Sequence, residues 1–209
     1  PVYAKFFSGA YIPVMLLVFV LIFRAVSCEF RSKLENEVWK KLFDYLLSFS
    51  SILIIIILSA AGANVLKGLP IGPEGFRLGL LEALNPFALI TSIAVLSLLI
   101  LHSLLYLANK TEGELLDKIV SWSKLFWIST TILLIIWGIV SATSGYGIYS
   151  NFIKYPLLLI EPILTVIFLI LSLVYLNKEN FKISFLFSSL TVGGSILFFG
   201  ISMFPNLIK

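Results

Sequence analysis

The segment SILIIIILSAAGANVL, residues 51–66, decides the fold class of this chain. It lies within a stretch from Tyr45 to Leu66 that carries no charged side chain. Such a stretch is long enough to cross the hydrocarbon core of a bilayer, because a transmembrane helix needs about 20 apolar residues. Over the whole chain 59% of the residues are hydrophobic, 12% are charged, and the mean hydropathy is +1.05. Soluble globular domains do not have this composition, so the sequence indicates a membrane protein.

Six apolar runs of spanning length occur along the chain. They predict transmembrane helices at about residues 7–24, 45–66, 86–108, 122–143, 156–176 and 183–204. The predicted fold is therefore all-α, a polytopic membrane bundle of about six helices in a single transmembrane domain over residues 1–209. The turn at residues 177–182 is so short that the last two spans are expected to form an antiparallel pair.

The positive charges are distributed unevenly between the two ends of these spans. If the segment after the first span is cytoplasmic, ten of the fifteen Lys and Arg residues lie on that side. They are Arg24, Arg31, Lys33, Lys40, Lys41, Lys110, Lys118, Lys124, Lys178 and Lys182. This bias follows the positive-inside rule, and it predicts cytoplasmic loops around residues 25–44, 109–121 and 177–182. The net charge of +4 then records orientation, and we expect contacts with membrane lipids and none with nucleic acid.

The sequence offers few residues for a metal or cofactor site. One cysteine, Cys28, excludes an internal disulfide and a multi-cysteine metal site, and one histidine, His102, excludes a bis-histidine haem within the chain. Met15 and Met203 are expected to be packing residues. There is also no Walker loop, no dinucleotide fingerprint and no nucleophile with its base. We therefore expect neither a catalytic residue nor a metal in this chain.

A dense charge cluster, FRAVSCEFRSK at residues 23–33, closes the first apolar run. It contains Arg24, Glu29, Arg31 and Lys33. Because charges inside a membrane are costly, these side chains should lie at the end of the span, either paired or hydrated.

Three local patterns predict where helices begin. Two have the spacing of a capping box, and one places asparagine before proline at the first helical position. The pairs are Ser32 with Glu35, Thr111 with Glu114, and Asn85 with Pro86.

Two ionisable residues lie within predicted spans. His102 is either a proton relay or cofactor contact, or a neutral imidazole that hydrogen-bonds across a helix interface, and the second interpretation is favoured. Glu161 directly precedes Pro162 in the opening turns of the fifth span. An intramembrane glutamate is a functional hypothesis by default, although hydration or helix capping would also explain it.

Five segments together resemble subunit II of the cytochrome bd quinol oxidases. The first is FRxVxxEFRSK within residues 23–33, which resembles the cytoplasm-facing end of a helix in that subunit. The others occur in the same order as in the family: VYAKFFSGAY at 2–11, ALNPFALITS at 83–92, HSLLYLANKTEGEL at 102–115 and FLFSSLTVGGSILFFGISMFP at 185–205.

The resemblance implies an enzyme only as part of a complex in a bacterial or archaeal cell membrane. In this family, subunit I holds haem b and haem d and oxidises quinol on the outer side, while oxygen is reduced to water with cytoplasmic protons. Subunit II shares the helical fold of its partner, carries no haem, and completes the heterodimer. The resemblance leaves open a structural quinone in subunit II.

The same resemblance implies roles for individual residues. By position, Glu29 and Arg24 match the acidic residue and the arginine that the family places near the inner mouth of a proton path. A carboxylate can relay protons, and a fixed arginine nearby would hold it charged. Arg31 matches a second arginine, which is expected to orient the site or contact headgroups. Cys28 stands where the family has an aromatic residue.

The chain departs from the family pattern at both ends. Two N-terminal spans with a GFD motif and a WDGNEVW-like motif, and one C-terminal span, have no counterpart here, so we expect the middle six of nine spans. The aspartates that would continue the proton path are absent. From the residues alone, a small secondary transporter using Glu161 or His102, or an assembly scaffold without proton traffic, would also be possible.

Overall fold

The structure, a computed structural model, describes residues 9–68, 71–72, 75–76 and 79–204. The first two residues of the predicted first span, 7 and 8, lie outside this part of the chain. The helices are α1 (Tyr11–Arg31), α2 (Glu37–Lys67), α3 (Leu80–Ala83), α4 (Pro86–Ala108), α5 (Glu114–Thr143), α6 (Ser150–Lys154), α7 (Ile160–Asn177) and α8 (Phe181–Met203). Two short antiparallel strands, β1 (Ile71–Gly72) and β2 (Gly75–Phe76), follow α2. A 3-10 turn at Pro156–Leu159 leads directly into α7.

Six of the described helical segments are long and apolar enough to cross a membrane. They are α1, α2, α4, α5, α7 with its preceding 3-10 turn, and α8. The prediction of an all-α polytopic bundle with six spans is therefore confirmed.

The cytoplasmic ends predicted for three spans differ from the helix ends in the structure. Helix α1 continues to Arg31 instead of ending near residue 24, α2 begins at Glu37, and α5 begins at Glu114. At 31 residues, α2 is about 46 Å long, which exceeds the roughly 30 Å hydrocarbon core. Hydropathy detects only the part of a helix in the hydrocarbon, whereas charged turns extend the same helix beyond it.

One of the three predicted helix starts is confirmed, and it lies at Asn85. The Asn85 side-chain oxygen accepts a hydrogen bond from the Ala88 backbone N–H at 3.1 Å, and α4 begins at Pro86. The cap satisfies one of the amide groups that the first helical turn leaves without a partner.

Both predicted capping boxes are wrong. The Ser32 hydroxyl donates backwards to the Glu29 carbonyl at 3.2 Å, and α2 is capped instead by Asn36, whose side chain accepts from the Val38 amide at 2.8 Å. The Thr111 hydroxyl likewise donates to the Leu107 carbonyl at 3.0 Å. The next helices begin only at Glu37 and Glu114, after N-cap positions at Asn36 and Gly113, so Ser32 and Thr111 lie too early in the chain to cap them. Each hydroxyl instead donates to a carbonyl at the end of the preceding helix.

The chain divides into two compact units, Pro1–Ser92 and Ile93–Lys209. In the first unit, α1 packs along α2. A buried amide network closes one end of this unit: Asn64 donates to the carbonyls of Ala60 and Ala83 at 2.7 and 2.8 Å, and accepts from Asn85 at 2.7 Å. The polar atoms of Asn64 are thus satisfied, as burial requires.

In the second unit, α7 and α8 form the antiparallel hairpin that the short turn predicts. The buried Ser184 hydroxyl on α8 donates to the Ser172 carbonyl on α7 at 2.7 Å. A core cluster joins α4 to the hairpin and contains Leu101, Leu105, Leu169 and Leu176. This hairpin carries the Glu161 site.

Candidate functional site

The charged end of α1 is fixed to α2 by a bidentate ion pair. The Arg31 guanidinium donates from Nε to Asp44 Oδ1 at 2.5 Å and from a terminal nitrogen to Oδ2 at 3.2 Å. Two parallel hydrogen bonds of this kind fix orientation as well as distance. Both side chains are 49% exposed, so solvent or a partner can reach the pair.

Aromatic packing also stabilises this contact between the end of α1 and the start of α2, which we call the charged corner. The Trp39 indole N–H donates at 2.8 Å to the Phe30 carbonyl, which also accepts from the Lys33 backbone N–H at 3.1 Å, and so links the start of α2 to the end of α1. The rings of Phe30 and Trp39 both contact Phe43, with centroid separations of 6.3 and 4.8 Å. The buried Phe43 side chain therefore packs beneath the charged side chains and holds the two helix ends together.

Glu29 lies beside this corner and pairs with Lys33. The Lys33 ammonium approaches Glu29 Oε1 to 3.3 Å, and both side chains are largely exposed. An exposed pair of this type stabilises the fold very little. The carboxylate therefore stays accessible to water.

Arg24 lies outside both ion pairs. Its side chain is exposed, and it makes no ion pair or side-chain hydrogen bond with the residues that the structure describes. Residues five apart on an α-helix point about 140° away from each other, so Arg24 does not share a helix face with Glu29. It shares one with Cys28 and Arg31, at helical spacings of four and seven.

The structure therefore brings together Arg31 with Asp44 and Glu29 with Lys33. Sequence reasoning missed Asp44. The available signal was its position as an acidic residue immediately before the uncharged stretch of α2, facing a helix end rich in arginine.

His102 contacts α8 within the second unit. Its Nδ1 lies 2.9 Å from the Ser188 hydroxyl on α8, and its ring stacks on Phe185 with a centroid separation of 4.9 Å. Ser188 also donates to the Phe185 carbonyl at 2.8 Å. This arrangement matches the interpretation of His102 as an imidazole that hydrogen-bonds across a helix interface.

Glu161 is different, because only part of its carboxyl group has a partner. The Thr165 hydroxyl, one turn further along α7, donates to Glu161 Oε1 at 2.9 Å. Oε2 is buried and has no hydrogen-bond partner within the described part of the chain. Gly194 on α8 faces this pair so closely that a Cβ atom there would lie 2.0 Å from the Thr165 hydroxyl oxygen.

No group of three or more His, Cys, Asp or Glu residues that could hold a metal ion occurs among residues 9–68, 71–72, 75–76 and 79–204. Cys28 is a free, exposed thiol. His102 is already engaged through Nδ1 and packed against a phenyl ring.

Comparison with known proteins identifies the family. The chain matches the family described as cytochrome bd terminal oxidase subunit II over residues 1–209. It is 29% identical to a probable cytochrome oxidase subunit 2 of Haemophilus influenzae and 27% identical to the cytochrome bd-I ubiquinol oxidase subunit 2 of Escherichia coli K12. Each alignment covers 98% of this chain and 62% of the relative's length, so the chain spans under two thirds of these relatives. Since the match covers every residue, the chain belongs to the cytochrome bd terminal oxidase subunit II family.

Proposed function

We propose that the chain forms part of the non-haem subunit II of a respiratory quinol:oxygen oxidoreductase. The family match over residues 1–209 carries this proposal. The six apolar helices support a place in the membrane, and the Escherichia coli relative is named as a subunit of a ubiquinol oxidase. Family membership also favours the oxidase over the secondary transporter that the residues alone leave open.

In this proposal the subunit acts through a partner. Haem b and haem d belong to subunit I, which oxidises quinol and reduces oxygen, and subunit II supports it as the second half of a heterodimer in the cell membrane. The haems supply the redox chemistry. The residues of this chain bind the partner and lipid, and a structural quinone is a further candidate ligand.

The charged corner between α1 and α2 would deliver protons from the cytoplasm. Glu29 is exposed and can take a proton from water, while Lys33 holds its carboxylate near the end of α1. The Arg31–Asp44 pair fixes the position of that helix end. Arg24 lies one and a half turns earlier and has no ionic partner in the described residues. Its positive charge would attract a carboxylate of the partner subunit or the negative charge that balances a proton-carrying chain of water.

The partner can be tested directly with the complete subunit. We expect an affinity-tagged full-length subunit, purified gently from membranes, to retain one haem-bearing partner subunit, because the proposal makes it one half of a heterodimer. Native mass spectrometry gives the stoichiometry. Recovery of the intact subunit by itself, from membranes that contain the oxidase, would contradict the heterodimer.

A further inference from the structure

The α7–α8 hairpin contains a polar site that the oxidase proposal does not use. It consists of the Glu161 carboxyl group, the Thr165 hydroxyl and the backbone of α8 at Gly194. The site lies inside the segment Pro156–Asn177, which is apolar enough to span the membrane. Carboxyl groups are expensive in such segments and are rarely present without a function.

Capping of α7 does not explain the position of the Glu161 side chain. A capping side chain accepts hydrogen bonds from free amide groups in the first turn of a helix. Glu161 Oε1 instead accepts from Thr165, one turn further into the span, and the N-cap residue Leu159 makes no side-chain cap. The carboxyl group is therefore turned along the helix into the bundle.

A role in holding the two helices together does not explain it either. The one hydrogen bond of the carboxyl group is made to its own helix, and Oε2 is buried without a partner in the described residues. A buried polar atom that lacks a hydrogen bond costs free energy. A purely structural side chain at this position would be replaced by an apolar one without loss.

Gly194 shows that the space around the carboxyl group is restricted. A Cβ atom at this position would come within 3.3 Å of Glu161 Oε1 and 2.0 Å of the Thr165 oxygen. The absence of a side chain at Gly194 thus lets Glu161 Oε1 and the Thr165 hydroxyl oxygen lie against α8.

We propose that Glu161 is a proton-exchange site, at which Oε2 binds and releases a proton. In the loading step, hydronium gives its proton to Oε2 and leaves as water; in the release step, water takes the proton and leaves the carboxylate. The Thr165 hydroxyl holds Oε1 in both states. A metal cation fits less well, because it takes several oxygen ligands and the described residues place only this carboxyl and one hydroxyl here.

The site differs from the charged corner in its surroundings. Glu29 is exposed beside a lysine, whereas Glu161 is half-buried between two apolar helices. On the proposed orientation, α7 begins on the side of the membrane opposite the cytoplasm. Glu161 would therefore exchange its proton with the outer aqueous phase, independently of proton delivery at Glu29.

Labelling with a hydrophobic carbodiimide tests the proposal on the purified complete oxidase. The reagent adds to protonated carboxyl groups in apolar surroundings, and peptide mass spectrometry locates the adduct without any substitution. We expect an adduct on Glu161 and none on the exposed Glu29. Above the pH at which the carboxyl ionises, labelling should fall about tenfold per pH unit, because each unit changes the ratio of the two forms by that factor.

Infrared difference spectroscopy between acid and alkaline pH provides a second measurement that needs no reagent access. The carboxyl C=O band of the unsubstituted complex should disappear as pH rises, and Glu161→Gln, assembled in the same complex, should lack that band. A band and an adduct that do not change with pH would overturn the proposal, and so would the absence of both. Neither readout requires quinol oxidation, so failure here is distinguishable from failure of the oxidase proposal.

Discussion

Glu29→Gln in the complete subunit is expected to lower quinol-driven oxygen uptake about tenfold or more, with haem content unchanged. Glutamine keeps the size and polarity of the side chain but cannot carry a proton. Positioned proton transfer commonly contributes about 10²–10⁴-fold to a rate. Because Glu29 is exposed, water would take over part of the proton transfer in the variant. Oxygen uptake per haem, measured in purified complexes, gives the result.

Two matched variants separate proton transfer from simple loss of charge. Lys33→Gln breaks the same ion pair while keeping the Glu29 carboxylate, so most of the activity should remain. Glu35→Gln removes an exposed carboxylate between α1 and α2 that makes no ion pair or side-chain hydrogen bond with the described residues, and it should have no effect. Uptake by Glu29→Gln equal to that of the unsubstituted oxidase would remove Glu29 from the proton path and favour the scaffold role.

Gly194→Ala is expected to destabilise the α7–α8 hairpin, although alanine usually favours a helix by about 0.5–1 kcal/mol over glycine. The added Cβ would lie 2.0 Å from the Thr165 hydroxyl oxygen and 3.1 Å from its Cβ. Threonine is β-branched and stiff at χ1, so it cannot turn away freely. Overpacking of this kind costs about 1–3 kcal/mol, which should lower both the yield of the folded subunit and its unfolding temperature in detergent.

Gly193→Ala is the control for that experiment. The two glycines are neighbours in the same helix, but a Cβ atom at Gly193 meets nothing within 4 Å. Gly193→Ala should therefore leave the unfolding temperature unchanged or raise it slightly. Equal unfolding temperatures for the two variants would show that α7 and α8 do not approach closely at Gly194. Restoration of stability by Thr165→Ala, which removes the clashing oxygen, in the Gly194→Ala background would identify the clashing side chain.

The spans and their order could be predicted from the sequence because hydropathy and helix length depend on local composition. Hydropathy missed the charged ends of α1, α2 and α5, since the turns at Arg31, Glu37 and Glu114 belong to the same helices as the apolar runs. The span predicted at 86–108 has those bounds in the structure. The cap at Asn85 could be predicted because the next residue, Pro86, has a backbone φ angle that suits the first position of a helix. The box at Ser32 failed because the helix begins only at Glu37, after an N-cap at Asn36.

The candidate site was predicted only in part for a similar reason. Arg24, Glu29, Arg31 and Lys33 are close in sequence, so they stand out as one cluster. Their partners depend on packing: Asp44 reaches Arg31 across the turn between two helices. Likewise, nothing in the sequence around Glu161 shows that Gly194 lies against it, because that contact exists only after α7 and α8 form their hairpin.

The measurement that tests the central claim most directly is a visible spectrum combined with quinol-driven oxygen uptake, made on the tagged full-length subunit after gentle purification. The account predicts haem b and haem d bands from the partner subunit and oxygen consumption when quinol is added. A colourless preparation that contains the intact subunit, holds no haem-bearing partner and consumes no oxygen would contradict it.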